Sequence, residues 1–175
     1  MSKTKRICYD GMGIALFVVL SLCLQVPVFE NYYLCLGYIV MAFYSYYFGI
    51  FDGTIIGTIG VFLYCFLING LRGMPGWMIG NVSIGIICGF ACGVARKQKK
   101  EWKKWILILA AVVLSTAGGI LGLKSIVEMF LYSIPFTVRV ATNMTAFIAD
   151  VVVLIIGFTI VISCEKVFKK AIKEI

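Results

Sequence analysis

The sequence predicts an all-α integral membrane protein, a bundle of six transmembrane helices with both termini cytoplasmic. Three observations predict it. Of 175 residues, 62% are hydrophobic and only 14% charged, with a mean hydropathy of +1.02; soluble folds are nearer half apolar and a quarter charged. The apolar residues gather into runs close to the roughly 20 residues that a spanning helix needs. The basic residues cluster at the ends of those runs rather than along them. A chain of this length is used up by six short-looped spans, so residues 1–175 read as a single membrane domain. Any soluble enzyme or energy source belongs to another chain.

The first run follows Lys3, Lys5 and Arg6 and covers about 11–29. It has the look of a signal peptide, but no small-residue cleavage site closes it and further spans follow, so it reads as a retained helix on a chain beginning at Met1. The second span covers about 33–48 and the third about 53–69, joined by a short turn around Asp52. The fourth covers about 77–95. A basic loop at 96–104 leads to the fifth span, about 105–123, which can be prolonged towards Tyr132. Pro135 breaks the pattern before the sixth span, about 140–164, and a basic amphipathic tail ends the chain. No internal repeat is evident.

Charge placement orients the bundle, because Lys and Arg near helix ends stay on the cytoplasmic side. With both termini inside, thirteen of the sixteen Lys and Arg residues are internal, and only Arg72, Lys124 and Arg139 face outward. The net charge of +8 is thereby explained without nucleic acid. The seven cysteines lie mostly inside apolar runs with no CxxC spacing, which argues for packing rather than disulfides or zinc. Histidine is absent, and with it the commonest metal ligand and general base. Neither a metal nor a cofactor is expected.

Ionisable groups at membrane depth are costly and usually face a cavity or a partner. Here they collect in the outer halves of the last three spans. Arg72 and Trp77 flank the outer stretch from Gly70 to Gly76, where glycines and Pro75 suggest a turn-rich or re-entrant connection. Asn81 follows one helical turn below Trp77. Lys124, Glu128 and Tyr132 recur at i, i+4 and i+8 on one helix face, and Arg139, Asn143 and Asp150 at i, i+4 and i+11 form another, with Phe147 between them. These stripes describe a polar pocket opening outward. The plainer alternative is that Glu128 pairs with Lys124 or Arg139 only to neutralise buried charge.

Small residues at four-residue spacing let membrane helices approach closely. Gly53, Gly57 and Gly60 on the third span, and Gly76, Gly80, Gly85, Gly89 and Gly93 on the fourth, read as internal packing seams. On the first span Gly11 and Ala15 form a comparable pair that nothing in the chain is obliged to cover, so they are candidates for docking another membrane protein. The stretch from Gly118 to Ser125 imitates a P-loop, but Leu123 separates Gly122 from Lys124 and no soluble strand precedes it. Nucleotide binding there is rejected.

Size, short loops, the small-residue pair on helix one, the stretch GMPGWMIGN (Gly73 to Asn81) and the stretch RVATNMTAFIAD (Arg139 to Asp150) together resemble the substrate-binding S component of an energy-coupling factor (ECF) vitamin transporter. The resemblance covers essentially the whole chain. It implies a non-enzymatic binder of a water-soluble vitamin or precursor in the bacterial plasma membrane, working with a membrane coupling protein and two cytoplasmic ATPases. It also implies delivery by tilting of the whole subunit when the coupling protein engages helix one, where the family's Ala-x-x-x-Ala pattern appears as Gly11 and Ala15. Trp77, Tyr132, Phe136, Tyr32 and Tyr33 are candidates for stacking a ring. Arg72, Lys124 or Arg139 could hold an anionic group, and Asn81 and Asn143 could read ring nitrogens or hydroxyls. A pyridoxine-like or hydroxymethylpyrimidine-like ring fits best, with pantothenate, folate, riboflavin and a queuosine precursor also open. Two other readings remain: a membrane enzyme acting on lipid or isoprenoid head groups, with Glu128 and Asp150 as its acid–base pair, and an assembly subunit with no ligand.

Overall fold

The computed structural model describes residues 3–23, 26–29, 32–69, 74–165 and 167–168. Among the described residues six helices follow one another: α1 (Lys3–Cys23), α2 (Gly37–Tyr47), α3 (Ile50–Asn69), α4 (Met74–Ala95), α5 (Glu101–Tyr132) and α6 (Phe136–Ser163). A small antiparallel ribbon, β1 (Val26–Phe29) and β2 (Tyr32–Leu34), joins α1 to α2. Five helices are long and apolar enough to cross a bilayer. The exception, α2, has 11 residues, about half the usual spanning length, and lies inside the bundle against α1, α3, α4 and α6. Tyr38, Met41, Ala42 and Tyr46 on it are essentially inaccessible.

The outer surface is apolar: Phe51, Phe66, Phe90 and Phe130 are all more than half exposed. In water such a surface would drive association, whereas lipid accepts it, provided that backbone groups are satisfied within the helices themselves.

Several boundaries differ from those that hydropathy suggests. Helix α1 is described over Lys3–Cys23, whereas Val26–Phe29, assigned above to the first span, form a strand, as do Tyr32–Leu34, which overlap the head of the second. Asp52 sits in the first turn of α3, and the α2–α3 turn lies at Phe48 and Gly49 instead, where Gly49 takes φ +108°, a left-handed conformation that glycine adopts without steric cost. Pro75 belongs to the first turn of α4 rather than to a preceding loop; at a helix start its missing N–H breaks no hydrogen bond. Residues 70–73 of that loop lie outside the described residues, as do 169–175 of the basic tail. The fifth span begins at Glu101 and runs unbroken to Tyr132, but its middle, Ala117–Lys124, is a π-helix. There Gly119 meets Gly80 of α4 so closely that a Cβ at Gly80 would stand 2.8 Å from the Gly119 carbonyl oxygen. Pro135 caps α6 one residue before Phe136.

The helix ends sort into two groups. At one end Arg6 clamps Asp52 through two hydrogen bonds of 2.7 and 2.6 Å, Lys104 pairs with Glu165 at 2.7 Å, and Arg96 donates to the Tyr47 carbonyl at 3.3 Å. An aromatic cluster of Tyr9, Phe43, Tyr44, Tyr47, Phe48 and Phe168 packs there as well. The starts of α1, α3 and α5 therefore meet the ends of α2, α4 and α6. The opposite end holds the ribbon and the remaining buried charges.

Candidate substrate site

Four helices bring polar side chains together in the half of the bundle away from the basic loop. Tyr38 comes from the first turn of α2, Trp77 and Asn81 from the first two turns of α4, Lys124, Ser125 and Glu128 from the end of the π-helix and the turn beyond, and Asn143 and Asp150 from α6. Among these, Tyr38, Asn81, Ser125 and Asn143 are at most 1% exposed, and Asp150, Glu128 and Lys124 at most 9%.

The network has two parts. In the first, Asn143 Nδ2 donates to Ser125 Oγ at 3.0 Å and to Glu128 Oε2 at 2.9 Å. Glu128 stands 4.0 Å from Lys124 Nζ and 3.9 Å from Arg139 Nη1, while the Arg139 guanidinium lies 4.8 Å from the centre of the Tyr132 ring. In the second, the Trp77 indole donates to Tyr38 Oη at 2.9 Å, and Tyr38 donates onward to Asp150 Oδ2 at 3.2 Å. Tyr64 meets the Trp77 ring edge-on at 5.8 Å.

Of the outer-pocket residues read from the sequence stripes and the Gly70–Gly76 stretch, Trp77, Asn81, Lys124, Glu128, Tyr132, Arg139, Asn143 and Asp150 thus fall in one region. Arg72 lies outside the described residues. Tyr38, Ser125 and Tyr64 were not foreseen. A run of tyrosines in an apolar segment reads as hydropathy alone, although a buried phenol normally requires a hydrogen-bond partner, and that requirement was the available signal.

Mutual neutralisation accounts for much of this network, since each buried carboxylate has a partner. It does not account for two atoms. Asn81 Nδ2 donates to the Trp77 carbonyl at 3.0 Å, but its Oδ1 is buried without a partner among the described residues, and so is Arg139 Nε. An unpaired buried polar atom is costly; here one acceptor and one donor of opposite character are left over. Glu128 and Asp150 have separate partners, held by Asn143 and Tyr38 respectively.

The pair on α1 is placed differently. Gly11 and Ala15 are exposed, on a face shared with Ile7, Met12, Leu16 and Val19, and a Cβ at Gly11 would meet nothing within 4 Å. The buried side of α1 is formed by Gly13, Phe17, Val18 and Ser21.

An apolar exterior, five spanning helices and a charged network sealed within one half of the bundle define an integral membrane protein with a polar interior. The family model for the ECF-type riboflavin transporter S component matches residues 1–168. A UPF0397 protein of Vibrio atlanticus (strain LGP32) is 28% identical over 170 residues, covering 94% of this chain and 92% of that protein. The chain belongs to the ECF-type riboflavin transporter S component family. It is therefore a component of a vitamin transport system and not an enzyme, which overturns the reading of Glu128 and Asp150 as an acid–base pair.

Proposed function

We propose that this chain captures a water-soluble vitamin on the outer side of the bacterial plasma membrane, in the network of Trp77, Asn81, Lys124, Glu128, Tyr132, Arg139, Asn143 and Asp150, with Arg72 as a further contact. The observation that carries the proposal is the pair of unpartnered buried atoms, Asn81 Oδ1 and Arg139 Nε: an acceptor and a donor left open suit a ligand that offers both. Trp77 and Tyr132 supply ring faces. A planar heteroaromatic ring with polar edges satisfies these groups. Riboflavin, which the family's description names, is the first ligand to test, followed by pyridoxine and hydroxymethylpyrimidine.

The subunit has both termini inside, in keeping with the thirteen basic residues that the charge pattern of the sequence assigns to the cytoplasmic side. It docks through Gly11 and Ala15 on a membrane coupling protein that works with two cytoplasmic ATPases, and it delivers its ligand by tilting. The experiment is mass spectrometry of ligand released from the purified protein, followed by equilibrium titration with the three vitamins. Binding tighter than about 1 μM, about −8 kcal/mol, is expected for one of them. No released ligand, together with dissociation constants weaker than about 1 mM for all three, would reduce the chain to a ligand-free assembly subunit.

A further inference from the structure

We propose that the start of α5 is a binding site for one anionic phospholipid, its headgroup held by Lys97, Lys99, Lys100 and Lys103 and an acyl chain laid along the outer face of the helix. All four lysines are exposed, and none is in an ion pair among the described residues. Glu165 and Glu101 are directed to the buried Lys104 instead, at 2.7 Å and 3.7 Å. Lys104 also fixes the rotation of α5. With its side chain turned inward over the Tyr46 ring, Trp102 must face out, and it is 57% exposed with Lys103 Nζ 5.6 Å from its ring centre. Indole rings in that position settle at the headgroup level of a membrane.

Directly along the helix from Trp102 come Ile106, Leu109 and Val113, at i+4, i+7 and i+11, one stripe whose members are 57%, 38% and 43% exposed. Eleven residues of helix rise about 16 Å, roughly half of the ~30 Å hydrocarbon core. The stripe is therefore one leaflet deep, the length of an acyl chain, and begins where the exposed lysines stand. A coupling protein offering acidic side chains would match the lysines, but it would not require an apolar track of leaflet depth beneath them. The cluster goes beyond what setting topology needs, because topology depends on the count of charges and is indifferent to their alignment with a stripe.

The test compares retained phosphatidylglycerol with retained phosphatidylcholine on the purified protein by native mass spectrometry, after exchange through mixed micelles. The wild type is expected to retain the anionic lipid about tenfold or more over the neutral one, with the preference falling in high salt. Changing Lys97→Gln, Lys99→Gln, Lys100→Gln and Lys103→Gln together should abolish the preference, while the same four changed to Arg should keep it, and Trp102→Ala should weaken it severalfold. If the glutamine variant does not fold, the arginine variant, Trp102→Ala and the salt dependence still decide the matter. Equal retention of the two lipids by the wild type overturns the proposal. So does displacement by inorganic phosphate as effective as that by phosphatidylglycerol, which would mark a site for free anions. A glutamine variant that keeps the lipid preference yet no longer co-purifies with the coupling protein would show a protein interface instead.

Discussion

Replacing Asn81 by Leu separates a binding role from a structural one, because the two predict opposite signs. Among the described residues Asn81 Nδ2 donates to the Trp77 carbonyl one turn back, and Asn81 Oδ1 is a buried acceptor without a partner. The bond is of a kind that contributes about 0.6 kcal/mol on average between groups in membrane proteins, and its acceptor is a helix carbonyl already within the backbone ladder. Burial of an unpaired polar atom costs about 1–3 kcal/mol. Leucine has nearly the same shape and removes both, so the unliganded variant should be as stable as the wild type or more stable by up to about 2 kcal/mol. Affinity should move the other way, weakening by about 1–3 kcal/mol, or 5- to 150-fold, because the acceptor that the proposed ligand would satisfy is gone. Thermal unfolding in detergent and ligand titration on the same preparation measure both. A variant destabilised by more than about 1 kcal/mol with unchanged affinity would show that Asn81 is a packing residue and refute the reasoning.

Asp52→Asn or Arg6→Gln should each cost about 2 kcal/mol, since Asp52 is 2% exposed but Arg6 is 47% exposed, placing the pair between exposed bridges of at most ~1 kcal/mol and buried ones of ~3–5 kcal/mol; denaturant unfolding of the singles and the double measures the coupling. Gly85→Ala should destabilise by about 1–3 kcal/mol, because its Cβ would stand 2.6 Å from Thr54 Cα, whereas Gly93→Ala, with nothing within 4 Å, should be neutral or gain up to about 1 kcal/mol; equal effects would mean that α3 and α4 do not pack as described. Gly11→Trp or Ala15→Trp should leave ligand affinity in detergent intact while ATP-dependent uptake into vesicles containing the whole transporter collapses; loss of both activities would make them ordinary packing positions.

What could be read from the sequence depended on whether the signal was local. The stripes Lys124–Glu128 and Asn143–Asp150 were legible because helical periodicity alone places such residues on one face, and the fold brings those faces together. Tyr38 was not, because its partners Trp77 and Asp150 are 39 and 112 residues away and tyrosine does not interrupt a hydropathy profile. The helix count was legible from run lengths. The shortness and central position of α2 were not, because hydropathy scores a helix buried among helices the same as one facing lipid. The π-helix left only the mark of Gly118 and Gly119 in the sequence, and its register comes from close packing of Gly119 on Gly80, a tertiary contact. Pro75 misled for a related reason: the residue that punctuates a loop is equally at home in the first turn of a helix.

The charges within the site also bear on the ligand. Among the described residues of the network, Lys124 and Arg139 are opposed by Glu128 and Asp150, so that part of the site is formally neutral. A subunit that tilts carries its site through the hydrocarbon core, where a net charge costs several kilocalories per mole even on the most lenient scales. On the tilting reading, the cheapest cargo to carry is itself neutral, because it leaves that balance intact. A phosphorylated ligand would bring a charge of about −1.5 to −2, which Arg72 alone would only partly balance, and Glu128 and Asp150 would oppose its approach. The neutral form of a vitamin should therefore bind at least about tenfold more tightly than its phosphate ester, riboflavin over flavin mononucleotide being the pair to compare first. Calorimetry with both ligands, at equal ionic strength, gives the ratio. If the phosphate ester binds equally well or better, Lys124 and Arg139 are phosphate ligands rather than internal counter-ions, and the neutral-cargo argument fails while the site assignment stands.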